Sequence, residues 1–302
     1  MSKTPKELLM LVDGENLLHR SFHKFANLRT HEGKPTGAIF GFFKSLHYMV
    51  TRFRPDRIII TFDNGHSPER VKVLPNYKGH RKNISLDYKA LQKQKRTIHK
   101  LLGYLRIPYI FDKSKSTLYE GDDFLAWLTF NAPGKVLIVS SDKDFNQLIN
   151  KDVQVFNPGK DERVNIHNCK ELFGYEPEET ADYLSLVGDS SDDIPGFKGI
   201  GPVKARQFLD RFDSIKDSFG INFWKDEQEA KEIFERNRLL IDLKFFIEKF
   251  PLNYTELPIV YSRKDPNYTK YNEICVKYSL NSMRTSLFLE PFKQITNGKI
   301  VY

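Results

Sequence analysis

Residues 8–13 read LLMLVD, five apolar residues followed directly by an acid, and this run establishes the class of fold. Two later stretches repeat the pattern, IIITFD ending at Asp63 and VLIVSSD ending at Asp142. Unbroken apolar runs of this length are typical of parallel strands that are buried on both faces of a sheet. Ligands of such sheets bind beyond the carboxyl ends of the strands, so we expect these two acids and Asp13 to share one crevice.

Helical patterns lie between and after these strands. Apolar residues recur at helical spacing in residues 37–53, 120–130, 177–187, 202–212 and 226–240. Residues 1–176 are therefore predicted to form an α/β domain, a central parallel sheet flanked by helices. Strand patterns fade after about residue 177, so residues 177–302 are predicted to form a mainly helical second region.

The composition is that expected of a cytoplasmic protein with a polyanionic partner. Hydrophobic residues make up 40% of the 302 residues, enough for a sizeable core, and no run approaches the ~20 apolar residues of a membrane span. Cys169 and Cys275 show neither metal-binding nor disulfide spacing. The excess of 47 Lys and Arg over 39 Asp and Glu favours polyanions, although a charge of +8 is also common on proteins that touch no nucleic acid.

Further acids accumulate beyond the three strand ends. They stand at the start of a predicted helix, two residues after Asp142, and in the stretch GDSSDD, and they are Glu120, Asp122, Asp123, Asp144, Asp189, Asp192 and Asp193. Carboxylates gathered in one crevice repel each other unless cations neutralise them, and oxygen ligands without His or Cys select Mg²⁺ or Mn²⁺ above Zn²⁺. Two such ions ~4 Å apart can hold a phosphodiester, one activating water and the other stabilising the leaving oxygen. For Asp13 alone, a helix N-cap is the alternative interpretation.

A basic segment follows the second strand. Between Arg70 and Lys100 lie ten Lys and Arg residues and a single acid, Asp87, interleaved with tyrosines and histidines. A run of charge is usually a solvated helix face, but cations with rings between them also suit the phosphates and bases of a single-stranded 5′ end. Helical spacing within the segment predicts ordinary packing for four apolar residues, Leu91, Ile98, Leu102 and Leu105.

Residues 197–205, FKGIGPVKA, form a second candidate contact with nucleic acid. Two glycines around Ile200 predict a tight turn whose free backbone N–H groups can face a phosphate at a helix N-terminus. A lone Gly-x-Gly is more often a plain connection between helices. The candidate phosphate contacts, which would fix position without reading base sequence, are Lys198, Gly199, Ile200, Gly201, Lys204 and Arg206.

Three motifs in order carry a family resemblance: EGDD at residues 120–123, SDKDF at 141–145 and GDSSDDIPG at 188–196. They resemble the structure-specific 5′-nuclease (flap endonuclease) family, which includes phage 5′-exonucleases and ribonucleases H and the 5′-nuclease domain of bacterial DNA polymerase I. The resemblance covers roughly residues 8–245. It implies a PIN-like 5′-nuclease fold with a helical arch at about residues 70–105 and a helix–hairpin–helix variant at about residues 184–212.

The resemblance also assigns roles to the acids. It implies a first metal ion on five carboxylates, those of Asp13, Asp63, Glu120, Asp122 and Asp142. It implies a second ion, held partly through water, near Asp123, Asp144, Asp189 and Asp192. Asp193 stands where polymerase-linked relatives often have Asn, and Gly121 departs from the commoner Ala at a position where that should be harmless.

Cations of the basic segment receive roles as well. By the resemblance, Lys78 and Arg81 would hold the scissile phosphate and offset the charge of the transition state. Three cations further along the predicted helix should only guide the 5′ strand, and they are Lys93, Lys95 and Arg96.

The function predicted from the sequence is that of a stand-alone, Mg²⁺-dependent 5′-nuclease, with Mn²⁺ as a substitute ion. It would act as a 5′–3′ exonuclease and flap endonuclease, with ribonuclease H as a candidate activity, near 5′ ends of branched DNA or RNA–DNA duplexes during primer removal in replication or repair. We expect a monomer that contacts no membrane. A replication clamp, a single-strand-binding protein and a K⁺ ion at the hairpin are further candidate partners.

Two other classes of protein share part of the pattern. Phosphatases of the haloacid-dehalogenase type use Asp-x-Asp, which residues 142–144 offer, but their nucleophile lies on the first strand, where residues 13–15 read DGE. A catalytically inactive relative that only holds branched DNA would have no need of so many mutually repelling acids. Trapping an aspartyl-phosphate would identify the first class, and a lack of Mg²⁺-dependent cleavage would identify the second.

Overall fold

The computed structural model describes residues 7–79, 86–112, 118–253, 257–260 and 265–295. The strands are β1 (Leu8–Asp13), β2 (Arg57–Thr61), β3 (Tyr109–Ile110), β4 (Lys135–Val139), β5 (Val153–Asn157), β6 (Glu162–Val164), β7 (Gly188–Asp189), β8 (Ile194–Pro195) and β9 (Ile259–Val260). The α-helices are α1 (Gly14–Lys24), α2 (Gly37–Phe53), α3 (Pro68–Val73), α4 (Leu86–Leu105), α5 (Gly121–Phe130), α6 (Cys169–Phe173), α7 (Thr180–Val187), α8 (Pro202–Leu209), α9 (Glu227–Ile241), α10 (Leu243–Lys249), α11 (Tyr268–Lys277) and α12 (Ser286–Lys293). Each of the five predicted helical stretches contains a helix.

One mixed sheet crosses the molecule in the order β6-β5-β4-β1-β2-β3-β9. Its five central strands are parallel, whereas the edge strands β6 and β9 pair antiparallel with their neighbours. The register places Asp13 beside Thr61 and Val12 beside Val139. The carboxyl ends of β1, β2 and β4 therefore finish at one edge of the sheet, and the predicted central parallel sheet is confirmed.

Both faces of the sheet are covered by apolar cores. Along β1, Leu9 and Leu11 face a core shared with α5, α7 and α9, whereas Met10 and Val12 face a core shared with α2 and α4. All four side chains are buried. This burial on two sides explains why the run is apolar without alternation. No helix in the described ranges is long and apolar enough to cross a membrane.

Helix α4 lies against the body of the protein. The four apolar residues that the sequence singled out for packing are all buried, in the core shared with α2 and α11: Leu91, Ile98, Leu102 and Leu105. The arch predicted for about residues 70–105 stays a prediction. Of these, residues 80–85 lie outside the described part of the chain.

The last part of the chain returns to the first domain. Strand β9 extends the main sheet beside β3, and α11 and α12 contribute Tyr271 and Phe292 to the core on the α2 side. The prediction of one helical region over residues 177–302 must therefore be corrected for residues 257–295. A strand of two residues leaves no periodic pattern, and the apolar faces of these two helices do not reveal in advance which domain they cover.

Candidate active site

The acids that follow the apolar runs meet at the carboxyl ends of β1, β2 and β4. Asp13 ends β1, Asp63 follows β2, and Asp142 follows β4. Together with Asp122 of α5 and Asp192 of the loop between β7 and β8, they line one cleft of about 320 Å³. The structure thus brings together five of the nine predicted metal ligands, as the shared direction of the strands requires.

The Asp13 carboxylate caps a helix and also lines the cleft. Its Oδ1 accepts a hydrogen bond from the N–H of Asn16 at 2.9 Å, which caps α1, and its Oδ2 accepts one from the Ser140 hydroxyl at 2.7 Å. Gly14 permits the tight exit from β1, because a Cβ there would lie 2.6 Å from the carbonyl oxygen of Thr61. The N-cap interpretation therefore applies to Asp13 without removing it from the cleft.

Asp63 is held against the N-terminus of α5. Its Oδ1 accepts a hydrogen bond from the Gly121 N–H at 2.6 Å, and a Cβ at position 121 would lie 2.7 Å from that oxygen. An alanine would have to displace the carboxylate. Gly121 therefore leaves room for the Asp63 carboxylate at this N-terminus, and the harmlessness of its departure from Ala stays a prediction.

The carboxylates of the cleft oppose one another's ionisation. Burial raises the pKa of Asp13 to about 7, and the negative charges of Asp63 and Asp142 add to the effect. Burial likewise raises the pKa of Asp63 to about 6, against the opposing charge of Lys78. The pKa of Asp122 is raised well above its usual value by burial and by its two neighbours Asp13 and Asp63. Ionised acids in this cleft are therefore unfavourable until a cation neutralises them.

Glu120 lies beneath these acids and is engaged by protein partners. Its Oε1 accepts a hydrogen bond from the Ser67 N–H at 2.9 Å, and its Oε2 accepts one from the Lys78 ammonium at 2.6 Å. Burial would raise the pKa of this carboxyl, but Lys78 and Arg70 outweigh burial and lower the pKa to about 2. Glu120 is thus the counter-ion of Lys78 in this structure, and its role as a ligand of the first metal ion stays a prediction.

Asp123 points away from the cleft. Its two oxygens accept hydrogen bonds from the Arg70 guanidinium at 2.7 and 2.8 Å, and one of them also accepts the Glu120 N–H at 2.8 Å. The side chain is fully buried, and the guanidinium lies 4.0 Å from the centroid of the Phe246 ring. The prediction that Asp123 lies near the second metal must be corrected, because this carboxylate belongs to a buried ion pair between α3 and α5.

Lys78 lies at the cleft in an unusual backbone conformation. Its φ is +52°, in the left-handed region that residues other than glycine seldom adopt. Its N–H donates to the carbonyl oxygen of Asp192 at 3.0 Å, and its Nζ lies 3.5 Å from Oδ2 of the same residue. With Glu120, these contacts fix the ammonium among the acids. Arg81, the second cation predicted to hold a phosphate, lies outside the described residues.

The remaining predicted ligands extend the acidic cluster beyond the cleft. Burial raises the pKa of Asp144 well above its usual value, and the charges of Asp142 and Asp189 add to the effect. Asp189 accepts hydrogen bonds from the N–H and the hydroxyl of Ser191 at 2.8 and 2.9 Å. Asp193 has a φ of +59°, which Asp and Asn adopt more readily than other side chains do. This conformation is compatible with either Asp or Asn at the position.

The donor atoms of the cleft suit a hard divalent cation. Within the described ranges, no three His, Cys, Asp or Glu side chains stand arranged to hold an ion. The cleft nonetheless offers mainly carboxylate oxygens, and burial together with mutual repulsion raises the pKa of Asp13 and of Asp122. Oxygen donors of this kind fit Mg²⁺ or Mn²⁺.

Comparison with known proteins identifies the family. Residues 8–174 match the family described as 5′-3′ exonuclease, N-terminal resolvase-like domain, and residues 175–245 match the 5′-3′ exonuclease, C-terminal SAM fold. A 5′-3′ exonuclease of Aquifex aeolicus is 31% identical over 291 residues, which cover 95% of this chain and 96% of that protein. The chain belongs to the 5′-3′ exonuclease family.

Other relatives and solved structures resemble this 5′-3′ exonuclease family member. DNA polymerase I of Bacillus subtilis is 29% identical over 89% of this chain and 30% of its own length. The structure of T5 5′-exonuclease with bound zinc ions has a TM-score of 0.66 at 21% identity and covers 90% of this chain and 100% of that one. The catalytic core of Rad2 in complex with DNA substrate has a TM-score of 0.57 at 16% identity, over 95% of this chain and 92% of that one. At these identities the structural likenesses show a shared fold.

Three residues of α1 line the cleft although the sequence analysis did not single them out. They are Glu15, Asn16 and His19. Glu15 and His19 lie one helical turn apart, with 3.4 Å between Oε1 and Nε2. Helical spacing after Asp13 was the pattern that could have found them, because positions three and four residues apart share a helix face.

Lys95 does not guide a strand, because its side chain is buried. Its Nζ donates to Oε2 of Glu15 at 2.6 Å and to the backbone oxygen of Asp63 at 2.7 Å. Lys93 and Arg96 are exposed on the same helix. The predicted role in guiding the 5′ strand is therefore wrong for Lys95 and stays a prediction for the other two cations.

The predicted hairpin is an exposed turn in front of α8. The Ile200 N–H donates to the carbonyl oxygen of Phe197 at 3.0 Å, and Gly199 has a φ of +78°. Five of the six predicted phosphate contacts are exposed: Lys198, Gly199, Gly201, Lys204 and Arg206. Arg206 donates a hydrogen bond to the carbonyl oxygen of Phe173 at 3.3 Å, so its guanidinium is partly engaged within the protein.

Acidification should stabilise the metal-free exonuclease, and Mg²⁺ should stabilise it most at high pH. Asp13 and Asp63 have pKa values of about 7 and about 6 in the folded protein, above the ordinary value of 3.8. The stability linked to these groups is fully present below about pH 4 and is lost as the pH rises through 6 to 7. A bound cation would restore it where the acids are ionised.

Scanning fluorimetry across this pH range tests the expectation. Mg²⁺ should raise the melting temperature by on the order of 5 °C at pH 8 and by much less at pH 5.5. The same series with Na⁺ at equal ionic strength controls for screening of surface charge. Equal shifts with Mg²⁺ at both pH values would contradict the assignment of the raised pKa values to the site that binds the ion.

Proposed function

We propose that this 5′-3′ exonuclease family member is a Mg²⁺-dependent, structure-specific 5′-nuclease. Its family makes it a phosphodiester hydrolase. The finer proposal is that it cuts near the 5′ ends of branched DNA and of RNA–DNA duplexes, as a flap endonuclease and 5′–3′ exonuclease with ribonuclease H activity. These substrates arise when primers are removed during replication or repair, which places the enzyme in the cytoplasm of a bacterial or phage-infected cell.

One observation carries the proposal: six carboxylates and the ammonium of Lys78 line the same cleft. The acids need added positive charge before they can all ionise, and a phosphodiester needs positive charge around its oxygens as it is cleaved. A cleft that gathers divalent cations beside a fixed lysine meets both needs. A phosphodiester is therefore the substrate that this arrangement of charges fits best.

Two divalent ions would be held by carboxylate oxygens. A first ion would be bound by four carboxylates of the cleft, those of Asp13, Asp63, Asp122 and Asp142. A second would lie near Asp144, Asp189 and Asp192. When bound, such ions activate a water molecule and stabilise the leaving oxygen. The T5 structures support this proposal, since one contains zinc ions and another is a complex of a T5 flap endonuclease with DNA and metal ions.

The side chain of Lys78 would hold a non-bridging oxygen of the scissile phosphate. Its ammonium is already placed by Glu120 and Asp192, so the enzyme need not reorganise it when charge develops. A donor fixed in advance stabilises the transition state more than a mobile one does. Asn16 and His19 offer further polar groups to a strand lying in the cleft.

Two exposed basic surfaces would hold the backbone of the nucleic acid. Along α4, four exposed cations follow one another at spacings of four, three and four residues, which places them in one stripe: Lys89, Lys93, Arg96 and Lys100. The turn before α8 presents backbone N–H groups and Lys204, as a helix–hairpin–helix contact to duplex DNA would require. The complex of the Rad2 core with DNA supports DNA as the ligand.

Cleavage of a matched set of labelled substrates tests the proposal. The set comprises a 5′-flap, a nicked duplex, a blunt duplex and an RNA–DNA duplex, each incubated with Mg²⁺, Mn²⁺ or EDTA. We expect products released from the 5′ end in either metal and none in EDTA. Products that begin at 3′ ends, or cleavage that EDTA does not affect, would overturn it.

The salt dependence of DNA affinity should show whether the hairpin contacts phosphates. If Lys204 neutralises one phosphate, Lys204→Ala should reduce the slope of log affinity against log salt by about one and weaken all duplex sequences alike. Lys135→Ala is the matched control, because this exposed lysine begins β4 at the opposite end of the strand from the acids. Fluorescence anisotropy with several duplex sequences measures both slopes. A loss confined to particular sequences would mean that α8 reads bases.

A further inference from the structure

Lys95 is a buried cation that joins three elements around the cleft. Its side chain is 6% exposed, and its Nζ on α4 lies 2.6 Å from Oε2 of Glu15 on α1. The same Nζ lies 2.7 Å from the backbone oxygen of Asp63, just beyond β2. The rings of Phe62 and Phe111 lie beside it, with their centroids 5.6 and 5.4 Å from Nζ.

An apolar side chain is expected at position 95, so the charge of Lys95 needs an explanation. It follows Leu91 by four residues and precedes Ile98 by three, so it lies on the packed face of α4. Burial of an ammonium is unfavourable unless hydrogen bonds and an opposite charge compensate it. Both compensating groups belong to the cleft, since Glu15 lines it and Asp63 supplies one of its carboxylates.

Lys95 also decides what Glu15 does in the cleft. Glu15 adds a negative charge beside acids that already repel each other. Its carboxylate is engaged on both sides, since Oε2 lies 2.6 Å from Nζ of Lys95 and Oε1 lies 3.4 Å from Nε2 of His19. Without Lys95, this charge would lose its ammonium partner, and the backbone oxygen of Asp63 would lose a hydrogen-bond donor.

We propose that Lys95 is a positioning residue of the nuclease site, which fixes the Asp63 turn against α1 and neutralises Glu15. Asp63 then presents its carboxylate to the metal ion from a defined place. This inference rests on the proposed function, because it gives Asp63 the role of a metal ligand. It also connects the helix that carries the exposed basic stripe to one of the catalytic acids.

Lys95→Met tests the proposal, since methionine keeps the length of the side chain and removes its charge. Metal affinity is measured with Mn²⁺ by electron paramagnetic resonance, DNA affinity in EDTA, and cleavage as a single turnover at saturating 5′-flap DNA. Loss of a group that orients a metal ligand should lower Mn²⁺ affinity and the cleavage rate roughly 10- to 100-fold, with DNA affinity changed about twofold or less. A residue that only supports the fold would lower the folded fraction and leave these values unchanged.

A second variant guards against misfolding, because Lys95→Met leaves the half-buried charge of Glu15 without its ammonium partner. The double variant Glu15→Gln/Lys95→Met has no such charge but still lacks the donor to the Asp63 oxygen. It should remain slow and bind Mn²⁺ weakly. Lys135→Met is the control for loss of a lysine elsewhere, and none of the three measurements should change.

Two results would overturn the inference. If the folded double variant binds Mn²⁺ and cleaves as the wild type does, Lys95 only supports the fold. If DNA affinity falls while Mn²⁺ affinity stays, Lys95 grips the strand after all. Failure of the wild type to cleave any 5′-ended substrate would overturn the proposed function instead, and the Mn²⁺ measurements would still decide whether Lys95 positions Asp63.

Discussion

Asp142→Ala is expected to abolish cleavage of a 5′-flap DNA while leaving DNA affinity unchanged or higher. Asp142 follows β4 and lines the cleft, where burial and the charges of Asp192 and Asp189 raise its pKa. Binding depends on exposed cations and backbone N–H groups, so removing one repelling carboxylate cannot weaken it. Loss of a metal ligand should lower the single-turnover rate by at least ~10³-fold.

The experiment compares three variants, Asp142→Ala, Asp142→Asn and Asp213→Ala, with the wild type at saturating DNA. Asp142→Asn keeps the shape of the side chain and should be nearly as slow, because the missing charge is what matters. Asp213→Ala removes an exposed acid of the loop after α8 and should cleave normally. DNA affinity is measured in EDTA. Wild-type turnover by Asp142→Ala in Mg²⁺ would remove this residue from the catalytic site.

Lys78→Ala is expected to slow cleavage at saturating DNA by roughly 10²–10³, with little change in KM. The ammonium is fixed by Glu120 and Asp192 inside the cleft, so it can meet charge that develops on the phosphate during the reaction. A cation that acts in the transition state changes the rate constant, whereas one that only holds the strand changes KM. Single-turnover and steady-state measurements on one flap substrate separate the two effects.

Lys78→Ala also leaves Glu120 as a buried charge without its partner, which can cost about 3–5 kcal/mol of stability. The matched variant Lys78→Met/Glu120→Gln removes both charges and fills the space. It should be as slow as Lys78→Ala while unfolding at a temperature closer to that of the wild type. If either folded variant cleaves at the wild-type rate once saturated, Lys78 is only a tether for the strand.

The strands and their acids could be predicted because the pattern that defines them lies within a short stretch of sequence. A strand buried on both faces must be apolar at every position, so the runs that end at Asp13, Asp63 and Asp142 were visible without the fold. The short strands β3 and β9 contain two residues each and exist because each has a partner far away in the chain. A sequence of two residues contains no pattern from which such a partner could be predicted.

The errors in the site came from treating residues of one motif as equivalent. Asp122 and Asp123 are neighbours in sequence, but on a helix they point about 100° apart, so one faces the cleft and the other faces Arg70. The same reasoning applies to Lys93 and Lys95. Lys95 shares the spacing of the buried leucines of α4, and that spacing was a better guide to its position than its charge.

The pairing of β9 with β3 has a consequence for how the chain is made. These strands lie about 150 residues apart, so this edge of the sheet stays open until most of the chain has left the ribosome. The strand ends that carry Asp13, Asp63 and Asp142 are complete much earlier. A nascent chain can therefore assemble the cleft while β3 is still free to pair with another chain, and the interval before β9 arrives is when aggregation competes with folding.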